Sequence, residues 1–172
     1  MVSLAYHPAH DSYHAAFRTM QLLAASKSKS YLVDAFRILD FYLLFPFMLK
    51  RISKPQNSLS LFGSLGLGRI SEPYQRLPSP RTAFLQVEGI QIAAYRHLAA
   101  AAVLNFEEFQ LGKIQLGQPE IREPLRSAVA AQNERDKNVL RYLIEVLGEL
   151  PVHGPGGLKA RTNLLEFRYD RA

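Results

Sequence analysis

Five histidines come first, because imidazole titrates near neutral pH and is the commonest protein metal ligand. Three of them, His7, His10 and His14, lie close to the start of the chain. His10 and His14 form an i, i+4 pair, which on a helix face can share one metal ion. No HExxH pattern frames them and no third helical ligand follows, so these residues read as helix-start histidines. His97 stands among apolar neighbours, the setting of a structural histidine, and His153 in a Gly/Pro-rich stretch. Nucleophilic hydrolysis needs Ser or Thr with His and a carboxylate in a recognisable frame, and no GxSxG occurs. Glu107 and Glu108 are adjacent, so in a strand they would point to opposite faces and not converge as acid and base. Asp34 and Asp40 are too far apart along and around a helix to form a dyad. The GSLGLG run at 63–68 lacks the GK[ST] ending and the strand-loop-helix frame of a phosphate loop. Cysteine is absent, which excludes disulfides, thiolate metal sites and cysteine nucleophiles. The expectation is a binding subunit, not an enzyme, with no cofactor and no metal.

Charge is the stronger signal. Of the net +6, +5 lies in residues 50–81, where Lys50, Arg51, Lys54, Arg69, Arg76 and Arg81 face a single carboxylate, Glu72. Such a stretch serves DNA phosphates, an acidic partner, or plain solvation. Phosphate contacts of this kind confer no sequence specificity. The same stretch carries isolated apolar residues, among them Leu61, Phe62 and Leu65, which predict docking onto the chain's own domain or onto a partner. Leu164, Leu165, Phe167 and Tyr169 suggest a final strand or a second docked segment, with Leu164, Leu165 and Phe167 offered to a partner.

The elements that must position these residues are organised around Ser30–Ile52. Val33, Phe36, Leu39, Leu43 and Phe47 recur at steps of three and four, and other apolar residues fill most of the circumference. Only Asp34, Arg37 and Asp40 interrupt. The uncharged run is too short for a bilayer span and Pro46 breaks it, so the spacing predicts a core helix that ends or kinks at Phe45–Pro46. Before it, Asp11 or Ser12 caps a helix running to about Ala25, with Phe17, Met20 and Leu23/Ala24 buried. After the basic connector, a stripe through Phe84, Val87, Ile90/Gln91, Ala94/Tyr95, Leu98 and Ala102 predicts a helix over 81–102. Phe106–Leu111 and Lys113–Leu116 then read as two strands turning at Gly112. Pro119 or Pro124 opens a further helical stretch whose polar middle, QNERDKN, is either a break or an exposed segment; Gly148 and Pro151 end it.

The fold expected is therefore mainly α with a small β-hairpin, a winged-helix-like helical domain with a long basic Gly/Pro/Ser-rich connector. It is one domain over 1–172: an N-terminal helical pair (1–49), the basic connector (50–81), a helix-hairpin-helix (82–150) and a C-terminal tail (151–172). No signal-peptide pattern opens the chain, which makes the cytoplasm the expected compartment.

Four features together add a resemblance: Tyr6-His7-Pro8 before the Arg18-bearing helix, LDFYLLFP at 39–46, Leu77-Pro78 and Pro80 leading into a helix, and the closing GLKARTNLLEFRYD. Over most of its length the chain resembles the middle components of ABC-three-component systems, which are similar in setting to the small subunit of Lamassu-type defence complexes. The resemblance implies an adaptor between an SMC/Rad50-like ABC ATPase and a variable effector, frequently a nuclease, in antiphage or anti-plasmid immunity. It implies no active site in this chain. The connector departs from a compact helix-turn-helix, where a short turn is expected. The competing reading is a stand-alone winged-helix DNA-binding regulator with 81–102 as recognition helix. A small metalloprotein using the N-terminal histidines is a third class, and would carry stoichiometric zinc.

Overall fold

The computed structural model describes residues 9, 11–27, 29–74, 77–118 and 121–166. Helix α1, Ser12–Ala25, is capped by Asp11, whose carboxylate accepts from the Tyr13 N–H at 2.8 Å. It buries Ala15, Met20, Leu22 and Leu23, while Phe17 is half-buried and Ala24 exposed. Strand β1, Tyr31–Leu32, runs directly into α2, Val33–Leu44. All of Ala35–Leu43 is buried. As the spacing predicts, α2 stops at Phe45, and Pro46 opens a tighter 3-10 turn over Pro46–Arg51. Proline at that position forfeits no helical hydrogen bond, which is why the chain changes pitch there instead of breaking away.

Helix α2 is enclosed by α1, by α4 (Pro80–Ala100) and by α7 (Lys137–Glu145). Helix α1 also packs on α6, Leu125–Arg135. The polar middle of QNERDKN is a break at Asp136. That carboxylate accepts from Gln21 of α1 at 3.0 Å and from Gln132 at 2.9 Å, so the break is pinned to the first helix. Ring contacts tie the layers together: Phe41 meets Phe45 at 5.2 Å and Phe84 at 5.5 Å, and Phe36 meets Tyr95 at 5.7 Å. Edge-on pairs of this kind add to the burial of the rings.

The connector is not a long loop. It holds 3-10 turns at Gln56–Ser58 and Leu67–Arg69 around the short helix α3, Leu59–Ser64. Leu67 is buried and Leu61, Phe62, Leu65 and Ile70 pack half-buried against the core. The GSLGLG run is the end of α3 and the turn after it, with Gly66 at φ +69°. Glycine is the residue that takes this left-handed conformation without strain.

The chain is mainly helical with one small antiparallel β element, as the pattern predicts, but the strands come from elsewhere. Residues Phe106–Gln110 form helix α5, whose N-cap Asn105 accepts from Glu108 N. Strand β2, Lys113–Ile114, pairs with β1 through Tyr31↔Ile114 and Leu32↔Lys113. On its other side Gln115 accepts from Asn105 N and Gly117 donates to Val103 O, so this segment lies between two neighbours. No hairpin follows α4, and the helix-then-wing arrangement expected over 82–116 is absent from the described residues. The misreading has a physical cause. The apolar alternation of 106–111 also suits one helical turn, and the Asn105 cap decides between them. Helix α8, Leu158–Thr162, is the last element of the described chain and hangs from Pro151, Val152 and Ser53 by backbone hydrogen bonds.

Buried phenols give the fold a pH limit. Burial raises the hydroxyl pKa of Tyr31 to about 12, with Glu149 adding to the shift, and burial likewise raises those of Tyr42, Tyr95 and Tyr142. Folded values above the unfolded value near ~10 mean the fold favours the neutral phenol, a stabilisation complete below that pH and lost as pH rises through the folded values. Thermal midpoints should fall steadily from about pH 10 upward, with tyrosinate absorbance at these residues appearing together with loss of helical circular dichroism. Ionisation of all the phenols at pH 10 with the helices intact would contradict this.

Candidate partner interface

Two sets of polar residues stand out, one inside the molecule and one on its connector. The inner set begins at Asp40, fully buried in the middle of α2. Arg18 of α1 donates to both its oxygens, Nε at 2.8 Å and Nη2 at 3.2 Å, a bidentate pair. Gln91 of α4 donates to Asp40 at 2.8 Å and to the Arg37 carbonyl at 3.1 Å, and accepts from Arg37 Nε at 3.2 Å. The Arg37 guanidinium lies over the Phe84 ring, 4.6 Å from its centre, and reaches Glu88 at 3.3 Å near the surface. Lys159 of α8 pairs with Asp34 at 3.2 Å. The three interruptions on the otherwise apolar α2 thus hold α1, α4 and α8 in register. Asp40, Gln91, Arg37 and Arg18 are all buried and closed to a substrate, so their chemistry is structural. The signal for it was a carboxylate on a helix apolar all round, which obliges a neighbouring element to supply a cation.

The outer set is the connector. Arg51 is paired with Glu72 at 3.2 Å and Arg81 with Glu166 at 3.6 Å, both on the surface. Lys54 turns inward: its ammonium donates to the Lys50 carbonyl at 3.0 Å and sits 4.4 Å from the centre of the Phe62 ring. Desolvation there lowers its pKa from the ordinary lysine value. Lys50 is half-buried and Arg69 exposed, and neither side chain has an ion-pair partner among the described residues. The turn carrying Lys50 packs on the turn carrying Arg69, and that turn on α3. Arg76, Phe167 and Tyr169 lie outside the described residues, as do His7 and His10.

The apolar candidates divide. Leu61, Phe62 and Leu65 keep part of their surface exposed, Phe62 with its ring 5.3 Å from Tyr142. Leu61 also lines a 410 Å³ groove with Pro55, Val146 and Leu150. Leu165 is half-buried. Leu164, expected to contact a partner, is instead 1% exposed and belongs to the core. It follows α8 into the interior, because the left-handed Asn163 at φ +53° turns the chain inward. Glu107 and Glu108 lie in the first turn of α5 and not in a strand, and His97 is exposed and not structural. No group of three His, Cys, Asp or Glu among the described residues is placed to hold a metal ion.

A family model described as ABC-three component (ABC-3C) system Middle Component 5 matches residues 4–170, almost the whole chain. The chain belongs to this family of ABC-3C middle components. No curated protein and no solved structure matches it. As a middle component it works with other components of its system. Among the described residues of the middle component, no helix is long and apolar enough to cross a membrane. On its connector, the turn carrying Arg69, which with Lys50 has no ion-pair partner among the described residues, packs on α3 with its part-exposed apolar side chains.

Proposed function

We propose that this middle component is a non-catalytic adaptor in a bacterial antiphage or anti-plasmid defence complex, bridging an SMC/Rad50-like ABC ATPase to an effector, a nuclease being the expected type. The single observation that carries this is the family match over residues 4–170. The setting is that of the small subunit of Lamassu-type complexes, in the cytoplasm. Of its connector cations, Lys50, Arg51, Arg69, Arg76 and Arg81 are offered to an acidic partner surface or to DNA without sequence preference, while Lys54 packs inward on Phe62. Leu61, Phe62, Leu65, Leu165 and Phe167 supply apolar contact to the larger subunits. An adaptor with such a role needs no reacting groups of its own, only a rigid scaffold that presents these residues, and the α1–α2–α4 packing provides one.

The test is affinity purification of the tagged chain from its native host, with and without nuclease. A large ABC ATPase that co-purifies and survives nuclease treatment is the expected result. Recovery of the chain alone, with DNA that salt washes off, would instead favour a free-standing DNA-binding regulator.

A further inference from the structure

We infer that the connector face around Lys50, Arg69 and α3 is a docking site for an acidic, amphipathic segment of a protein component of the same system, and not for DNA. This rests on the adaptor reading above and narrows it.

Of the five connector cations described, Arg51 and Arg81 are held by carboxylates and Lys54 is turned onto backbone carbonyls and the Phe62 ring. That leaves Lys50 and Arg69, on turns packed against each other. Counterion release scales with the number of phosphates neutralised; two contacts give a log–log salt slope of only about −2 and roughly a tenfold loss between 50 and 200 mM salt. Proteins that hold duplex DNA through its backbone use several times as many contacts.

The second observation is apolar. Leu59 is 46% exposed, and Leu61, Phe62 and Leu65 of the same short segment, which packs on the turn carrying Arg69, keep part of their surface in water. The outside of a duplex offers these side chains nothing to bury against, whereas a protein segment does. Carboxylates spaced to reach Lys50 and Arg69, with apolar residues between them, complete the match of charge and surface.

The experiment uses the full chain co-expressed with the ABC ATPase and effector of its own system. A zero-length carbodiimide coupling joins an amine only to a carboxylate in direct contact, so Lys50 should become cross-linked to an Asp or Glu of a partner. The conservative variant Arg69→Lys should add a second such link. The double variant Lys50→Glu/Arg69→Glu should lower recovery of the complex at least tenfold, and Leu59→Ser severalfold. Both substitutions are at exposed or half-exposed sites, and unchanged helical content would confirm folding. A random 30-base-pair duplex should bind the wild type weakly and compete with none of these links. If the complex forms but Lys50 yields no partner cross-link, or the double variant assembles normally, the docking site is wrong while the adaptor reading stands. If the duplex displaces the cross-link, the face belongs to DNA. If wild-type protein assembles with no component, the adaptor reading itself fails.

Discussion

Replacing Asp40 by Ala should destabilise the protein by about 3–5 kcal/mol, the range expected when one partner of a buried ion pair is removed. The substitution strands the Arg18 guanidinium, 6% exposed, with its charge uncompensated, and leaves the Gln91 amide without one of its two acceptors. For a domain of this length, where 1 kcal/mol moves the midpoint by about 2–4 °C, the expected fall is about 6–20 °C. Urea unfolding followed by circular dichroism gives the same quantity independently of temperature. A second variant separates lost charge balance from lost attraction. Arg18→Met with Asp40→Leu removes both ions and fills the space with apolar atoms, and should recover most of the loss. A double variant no more stable than Asp40→Ala alone would mean that the pair attracts more than its desolvation costs. An unchanged midpoint in Asp40→Ala would show that the network does not hold the helices together.

Phe41→Ala is the second large effect, again about 3–5 kcal/mol, the usual cost of truncating a buried phenylalanine. Phe41 is fully buried and its ring meets those of Tyr42, Phe45 and Phe84, so one residue joins the end of α2, the turn at Pro46 and α4. The side chains around the resulting void are themselves anchored, which limits how far the site can collapse. Because Phe84 also carries the Arg37 guanidinium on its face, the loss should spread to the polar network. The losses from Phe41→Ala and Asp40→Ala should therefore fail to add. Phe41→Leu, which keeps most of the volume, should cost far less. If it costs as much as Phe41→Ala, the edge-on ring contacts matter more than the cavity.

How much was legible follows from where the information lies along the chain. Helix α2 and its end at Pro46, the α1 cap at Asp11, the α4 stripe and the stop before Pro151 are local facts. Periodicity, capping groups and proline act within a few residues, so the sequence alone determines them. The exclusion of cysteine chemistry and the concentration of charge in 50–81 are equally plain in composition. The family, too, is visible in the residues that open, centre and close the chain.

Tertiary structure decided the rest. Strand β2 found its partner in β1 and not in 106–111, because a short apolar segment pairs with whichever edge the packed helices bring beside it. The connector became ordered because Leu67 and its neighbours met an apolar surface that only the assembled helices create. Docking then divided its charges: Arg51 was placed beside Glu72, Arg81 beside Glu166, Lys54 was folded inward, and Lys50 and Arg69 were left without an ion-pair partner among the described residues. Asp40 shows the same division of labour in one residue. Its position on an apolar helix announces a buried carboxylate, but only the packing of α1 and α4 on α2 brings Arg18 and Gln91 to it. A side chain's neighbours in sequence set its local conformation; its charge partner is set by elements far along the chain, through burial that no local pattern encodes.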